Sequence, residues 1–258
     1  MQSIIKPIFL GIIQGLTEFL PISSSGHLII VPKIFDLPKY PLFFDTTLHL
    51  GTAAALIIYF WKDLIFIVKG KNFKLLKFIL IGSIPAGAAG FLFEDYFENV
   101  FRSILSVSMF LILGSILMLL AEYLGKHTRQ IKDILDLDGK KSFIIGIFQS
   151  LALFPGVSRS GATISGGMFM GLDRQKSAKF SFLLSIPVVL GAGLFKLLGS
   201  AGEFSSVGLI PVLLGFFASF FTGLLVIKFL LNFLNNNSLK VFIVYRILLA
   251  GVLLGFFV

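Results

Sequence analysis

Cysteine is absent from the 258 residues, which excludes disulfides and thiolate metal sites and leaves the redox compartment open. Histidine occurs three times, and charged residues make up only 14% of the chain. There is no phosphate-binding loop of the GxxxxGKS or GxxxxGKT form and no HExxH pair, so nucleotide hydrolysis and zinc proteolysis lack their parts. A long basic and aromatic surface is missing too, so the net charge of +9 does not point to a nucleic-acid partner. In so apolar a chain that excess is read as basic cytoplasmic loops. What is present is hydrophobic: 56% apolar residues, 31 Phe and a mean hydropathy of +0.97. This composition indicates an all-α polytopic membrane protein.

A crossing of the bilayer takes roughly 20 apolar residues. Hydropathy predicts spans at 45–61, 75–93, 103–123, 180–197, 208–227 and 241–258. Two other segments, 8–30 and 143–170, hold a short apolar run, a Pro/Gly/Ser break and a second short apolar piece. Neither piece can cross alone, so each segment is expected to be a re-entrant helical hairpin, its broken backbone shielded by protein or a polar cavity. Each half, 1–130 and 131–258, then has one hairpin and three spans. An odd number of spans inserts the second half upside down, giving an inverted repeat within one membrane domain. The polar stretch 125–142 is the seam, and Asn235-Asn236-Asn237-Ser238 a short loop before the last span.

The basic residues agree with this arrangement. Lys62, Lys69, Lys71, Lys74, Lys77, Lys126, Arg129, Lys132, Lys140, Lys141, Arg174, Lys176, Lys179, Lys228 and Lys240 fall on one face. Only Lys6, Lys33, Lys39, Arg102 and Lys196 fall on the other, while Arg159 and Arg246 lie inside apolar segments. The positive-inside bias makes the first face cytoplasmic and puts both termini outside. The hairpin at 8–30 then enters from outside, the one at 143–170 from the cytoplasm, and their tips meet near the midplane. The N-terminal run after Lys6 has the outline of a signal peptide. Gln14 and Glu18 within it, and Pro21-Ile22-Ser23 where a small-residue cleavage site belongs, argue against its removal.

The two broken segments repeat one another. Residues 11–26 and 146–161 are identical at 8 of 16 positions, 135 residues apart. The copies differ where chemistry would sit: the first carries Glu18 and His27, the second Arg159. Ser23, Ser24 and Ser25 suit the start of a helix through His27, as Ser158 and Ser160 suit its counterpart. Helix starts offer free N–H groups and a positive dipole end, and an arginine fork matches phosphate oxygens. Serine turns ordinarily only cap helices, and a lone histidine is ordinarily structural. A Glu, a His and an Arg at both repeat-related breaks are harder to explain that way, because a carboxylate in an apolar segment costs several kcal/mol unless paired. His27, one turn from Ser23 and Ser24, could exchange a proton with serine or phosphate, or attack phosphorus; Glu18 could orient His27 or hold a cation. Arg246 is expected to snorkel or pair locally. Asp45 and His49, one helical turn apart, could support the site from behind but are expected rather to line the outer surface, and Ser83-Ile84-Pro85 and Ser185-Ile186-Pro187 are read as helix kinks.

The motifs Gln14-Gly15-Leu16-Thr17-Glu18, Ser23-Ser24-Ser25-Gly26-His27 and Pro155-Gly156-Val157-Ser158-Arg159-Ser160-Gly161-Ala162-Thr163 resemble those of the bacterial undecaprenyl-diphosphate phosphatases, also called bacitracin-resistance proteins. The resemblance covers the whole chain. It implies hydrolysis of undecaprenyl diphosphate to undecaprenyl phosphate and phosphate in the bacterial plasma (inner) membrane, recycling the lipid carrier of wall synthesis. The catalytic residues it implies are Glu18, Ser24, His27 and Arg159, with Ser24 or His27 as nucleophile. Ser23, Ser25, Ser158, Ser160, Gly161 and Thr163 are implied to bind substrate. A divalent cation, Mg2+ or Ca2+, is implied at Gln14 and Glu18, although many members have Glu where this chain has Gln14, which puts a two-carboxylate metal site in doubt. The partners implied are a prenyl diphosphate lipid and the bilayer, with a homodimer allowed. The rival reading is a secondary transporter or lipid flippase, since carriers also use inverted repeats with broken helices. Transport alone does not require a serine and a histidine facing an arginine.

Overall fold

The computed structural model describes residues 4–37, 40–125 and 131–257; Lys39, Lys126 and Arg129 of the charge pattern lie outside these residues. The first half contains α1 (Ile5–Phe19), α2 (Ser24–Ile34), α3 (Leu42–Tyr59), α4 (Trp61–Val68), α5 (Phe73–Val100) and α6 (Ile104–Leu124). It is followed by α7 (Gly139–Ser150), α8 (Arg159–Phe169), α9 (Arg174–Gly199), the short α10 (Phe204–Val207), α11 (Leu209–Asn236) and α12 (Lys240–Phe256). The described residues contain no strand.

Among the described residues, five helices are long and apolar enough to cross a membrane: Leu42–Tyr59, Phe73–Phe93, Ile104–Leu124, Arg174–Gly199 and Leu209–Asn236. The sixth expected span is α12, with 17 residues, about 26 Å at 1.5 Å per residue. Both broken segments fall where expected. α1 has 15 residues, and α2 and α8 have 11 each; at about 22 and 16 Å none of them reaches across a core of about 30 Å. Asn72, Ser103, Asp138 and Asp173 cap α5, α6, α7 and α9 by accepting from backbone N–H groups, so these starts are fixed locally. Pro85 and Pro187 lie inside continuous helices. Ser83 and Ser185 donate to their own helices, at Ile79 O (2.8 Å) and Phe182 O (2.7 Å), which gives them no catalytic part.

Two pairings fix where the breaks lie. α1 packs along α11, the most extensive helix contact in the molecule, and α7 packs along α5. Apolar side chains gain little from one another in lipid, so such contacts depend on close backbone approach. Accordingly, a Cβ at Gly15 would sit 2.8 Å from the Ser219 carbonyl oxygen, and one at Gly146 would clash with the Gly82 backbone. Phe19 and Phe182 meet edge to face at 5.3 Å behind the first break. Phe154, just before Pro155, packs on Phe97 (4.5 Å) and Phe110 (4.7 Å) and pins the second.

Candidate active site

Each break ends in a serine with an uncommon backbone. Ser23 has φ 77° and ψ 95°, and Ser158, 135 positions later, has φ 76° and ψ 114°. Non-glycine residues hold such angles only where surrounding bonds over-determine them. Ser23 Oγ accepts from Gly26 N (3.3 Å) and, across the molecule, from Gly156 N (3.1 Å). Ser158 Oγ accepts from Gly161 N (3.2 Å), while Ser160 Oγ donates to Leu20 O (3.1 Å). The two breaks therefore touch directly. Gly156 itself has φ 112°, and a Cβ there would stand 2.6 Å from Val107 O; only glycine fits.

Glu18, 6% exposed, is the centre of the site. Arg159 Nη2 donates to its Oε1 at 2.6 Å, and Ser24 Oγ donates to its Oε2 at 2.6 Å. Ser24 and Arg159 occupy equivalent positions of the repeat, the first helical residue after each cap. Two copies of one segment thus present different groups to the two oxygens of a single carboxylate. Gln14 Nε2 adds a third donor to Oε2 at 2.9 Å, and His49 Nε2 lies 3.8 Å from the same oxygen. Arg159 Nη1 and Gln14 Oε1 are buried with no protein partner, which leaves one donor and one acceptor at the site for water, an ion or substrate.

Several expected placements differ. Ser24 and Ser25 do not cap; the cap is Ser23 alone. His27 does not face the Ser24 hydroxyl or Glu18. Its Nδ1 bonds Ser23 O at 2.7 Å and its Nε2 bonds Tyr245 Oη at 2.7 Å; the carbonyl accepts, so Nδ1 carries the proton and Nε2 receives the tyrosine hydroxyl. Both ring nitrogens are thereby occupied. Thr163 is buried, its hydroxyl donating to Arg159 O (2.8 Å) and shared with Ser181, so it braces the start of α8. Ser158, Ser160 and the Gly161 N–H are likewise used within the breaks. Of the six expected substrate-binding residues, Ser25 lines an open cavity.

Arg246 does not snorkel: it is fully buried. It donates to Pro21 O (3.2 Å), Gly156 O (2.9 Å), Leu111 O (3.1 Å) and Ser115 Oγ (3.1 Å). The signal in the sequence was a lone arginine in the last apolar run, whose partners lie too far along the chain to be read from it. Of the two places open to His49, the structure gives the one beside Glu18: with Ser25, Asp45, Arg102 and Lys196 it lines a cavity of about 250 Å³. A second cavity of about 530 Å³ shares Leu28, Ile29, Asp45 and Arg102 with it and adds Lys33.

To a divalent cation Gln14 and Glu18 offer few free oxygens. Glu18 is met by a guanidinium, a hydroxyl and an amide N–H, and hard divalent cations need several oxygen ligands. No group of three acidic, His or Cys side chains placed to hold a metal occurs among the described residues. What the geometry supplies is a carboxylate able to accept a serine proton beside a guanidinium able to take an anion.

Residues 7–252 match the family model described as Bacitracin resistance protein BacA. The chain is 46% identical over 255 residues to the undecaprenyl-diphosphatase of Thermodesulfovibrio yellowstonii, covering 98% of this chain and 97% of that one. It is 42% identical over 265 residues to the protein of that name from Caldicellulosiruptor bescii (98% and 97% covered). The Aquifex aeolicus undecaprenyl-diphosphatase is 40% identical over 256 residues, 98% of each chain.

Proposed function

The chain belongs to the BacA family of bacitracin resistance proteins, and from that premise we propose that it is a multi-pass membrane phosphatase hydrolysing undecaprenyl diphosphate to undecaprenyl phosphate and inorganic phosphate. The product is the lipid carrier of wall synthesis, and its recycling would give bacitracin resistance. The observation that carries the chemistry is the pair of 2.6 Å bonds from Ser24 and Arg159 to the two oxygens of Glu18.

In this reading Glu18 is the general base and Ser24 the nucleophile. Ser24 Oγ attacks the terminal phosphorus, its proton passes to Glu18, and the bridging P–O bond breaks with its electron pair leaving on undecaprenyl phosphate. Water then attacks the phosphoserine, releasing phosphate and returning the hydroxyl. Phosphoryl transfer asks chiefly for placement and charge stabilisation. Arg159, with Nη1 unpartnered, and the start of α8 supply both. His27 positions the first break through Ser23 O. A divalent ion, in this reading, arrives on the diphosphate and is not held in a protein cradle. Glu18, Ser24 and Arg159 all come from one chain.

Two hairpins inserted from opposite faces, within halves of inverted topology, account for breaks that meet tip to tip while no single helix of either segment is long enough to span. Both cavities are lined by basic residues of the less basic face, Arg102 and Lys196 in one and Arg102 and Lys33 in the other, which supports access from the outer leaflet of the plasma membrane. The carrier reading is not favoured, since transport requires no serine hydroxyl directed at a buried carboxylate. Purified protein should release phosphate from undecaprenyl diphosphate, and Arg159→Ala should reduce this at least a thousandfold while the protein stays monodisperse. Near-normal turnover by that variant would remove the assignment.

A further inference from the structure

Arg246 touches neither Glu18 nor any of its partners, yet its guanidinium reaches both breaks. Nη1 donates to Pro21 O and Nη2 to Gly156 O. These carbonyls stand at equivalent places in the repeat, Pro21 three residues before Ser24 and Gly156 three residues before Arg159. Nε and Nη2 anchor the same group to α6 through Leu111 O, Phe110 O and Ser115 Oγ. One rigid, planar fork therefore spaces the two chain segments that deliver the nucleophile and the anion-binding group to a common carboxylate. Its hydrogen-bond partners are neutral oxygens, so the charge of this fully buried group is solvated by the breaks it holds and by α6. A packing role alone would be met by an apolar side chain of similar volume.

We propose that Arg246 is a positioning residue for phosphoryl transfer, clamping both breaks at the separation that lets Ser24 and Arg159 bond the two oxygens of Glu18. The inference rests on the phosphatase reading above. Lysine has a single Nζ and cannot reproduce the fork, so Arg246→Lys keeps the charge and loses the spacing. Misplacement of reacting groups by about 1 Å costs on the order of a hundredfold in rate.

The test measures phosphate release from undecaprenyl diphosphate in detergent, well below the melting temperature, with monodispersity and melting recorded for each variant. Arg246→Lys should lower kcat tenfold to a hundredfold with KM within about threefold, as expected of geometry and not of binding. A second variant reaches the clamp from the other side. A Cβ at Gly114 would run into Arg246 Nη2 and lie 2.6 Å from Val157 O, so Gly114→Ala should give the same pattern. A lower melting temperature with kcat within twofold of wild type in either folded variant overturns the proposal, as does a rise in KM alone. Failure of the wild-type protein to release phosphate at all would instead overturn the phosphatase reading. Should Arg246→Lys fail to fold, Gly114→Ala decides.

Discussion

A buried carboxylate is tolerable only when its partners replace water, and Glu18 has a guanidinium, a hydroxyl and an amide on it. Glu18→Gln keeps the shape but removes both the base and the charge that holds Arg159. A kcat loss of about a hundredfold to ten-thousandfold is expected from general-base removal, read as phosphate release at saturating substrate. Ser24→Ala should be as severe and should abolish the phosphoserine trapped by rapid acid quench. Trapping a phosphohistidine at His27 instead would reassign the nucleophile. That Glu18, Ser24 and Arg159 come together was legible in the sequence, because polar groups stand out against apolar neighbours in the two repeated segments. The role of His27 was not, because its partner Tyr245 lies 218 residues away and spacing reports only local neighbours. The choice between surface and site for His49 was open for a related reason: one turn after Asp45 it looks like a surface residue until α1 is packed beside α3.

The helix breaks are elements in their own right, each built from a strained serine cap. Ser23 Oγ satisfies Gly26 N within its own segment and Gly156 N in the other. Ser23→Ala leaves both without that acceptor, at about 1–3 kcal/mol for a buried unsatisfied group, and thermal unfolding in detergent should register the loss. Gly156→Ala should be worse, since positive φ and the Val107 carbonyl both oppose a side chain. Hydropathy located these segments well, 8–30 and 143–170 against helices over 5–34 and 139–169. It undershot the long helices: α11 continues to Asn236 beyond the predicted 227, because a helix leaving the hydrocarbon region stays hydrogen-bonded while its hydropathy falls. Which serine caps was not legible, since three consecutive serines are equivalent until the backbone chooses one.

At the scale of the whole molecule, the orientation proposed from charge asymmetry calls for a measurement, while composition was enough for a polytopic helical protein. Missing from it was the cross-packing of α1 on α11 and α7 on α5, which depends on glycines that meet only in three dimensions. The absence of cysteine makes the orientation directly measurable. Single cysteines at Ser238, between α11 and α12, and at Ser103, between α5 and α6, should label from opposite sides of the membrane. An impermeant maleimide added to intact cells should reach Ser103→Cys and spare Ser238→Cys. Labelling of both from one side would refute the inverted insertion.

The equivalence of Ser24 and Arg159 bears on descent. A half-length ancestor working as a pair of identical chains would have offered one residue type at both places, two hydroxyls or two guanidiniums around each acid. Joining the halves into one gene freed each copy to change alone, so nucleophile and anion receptor could become different amino acids. In that history symmetry built the scaffold, and its loss at aligned positions, Glu18 against Leu153 and Ser24 against Arg159 among them, made room for an enzyme.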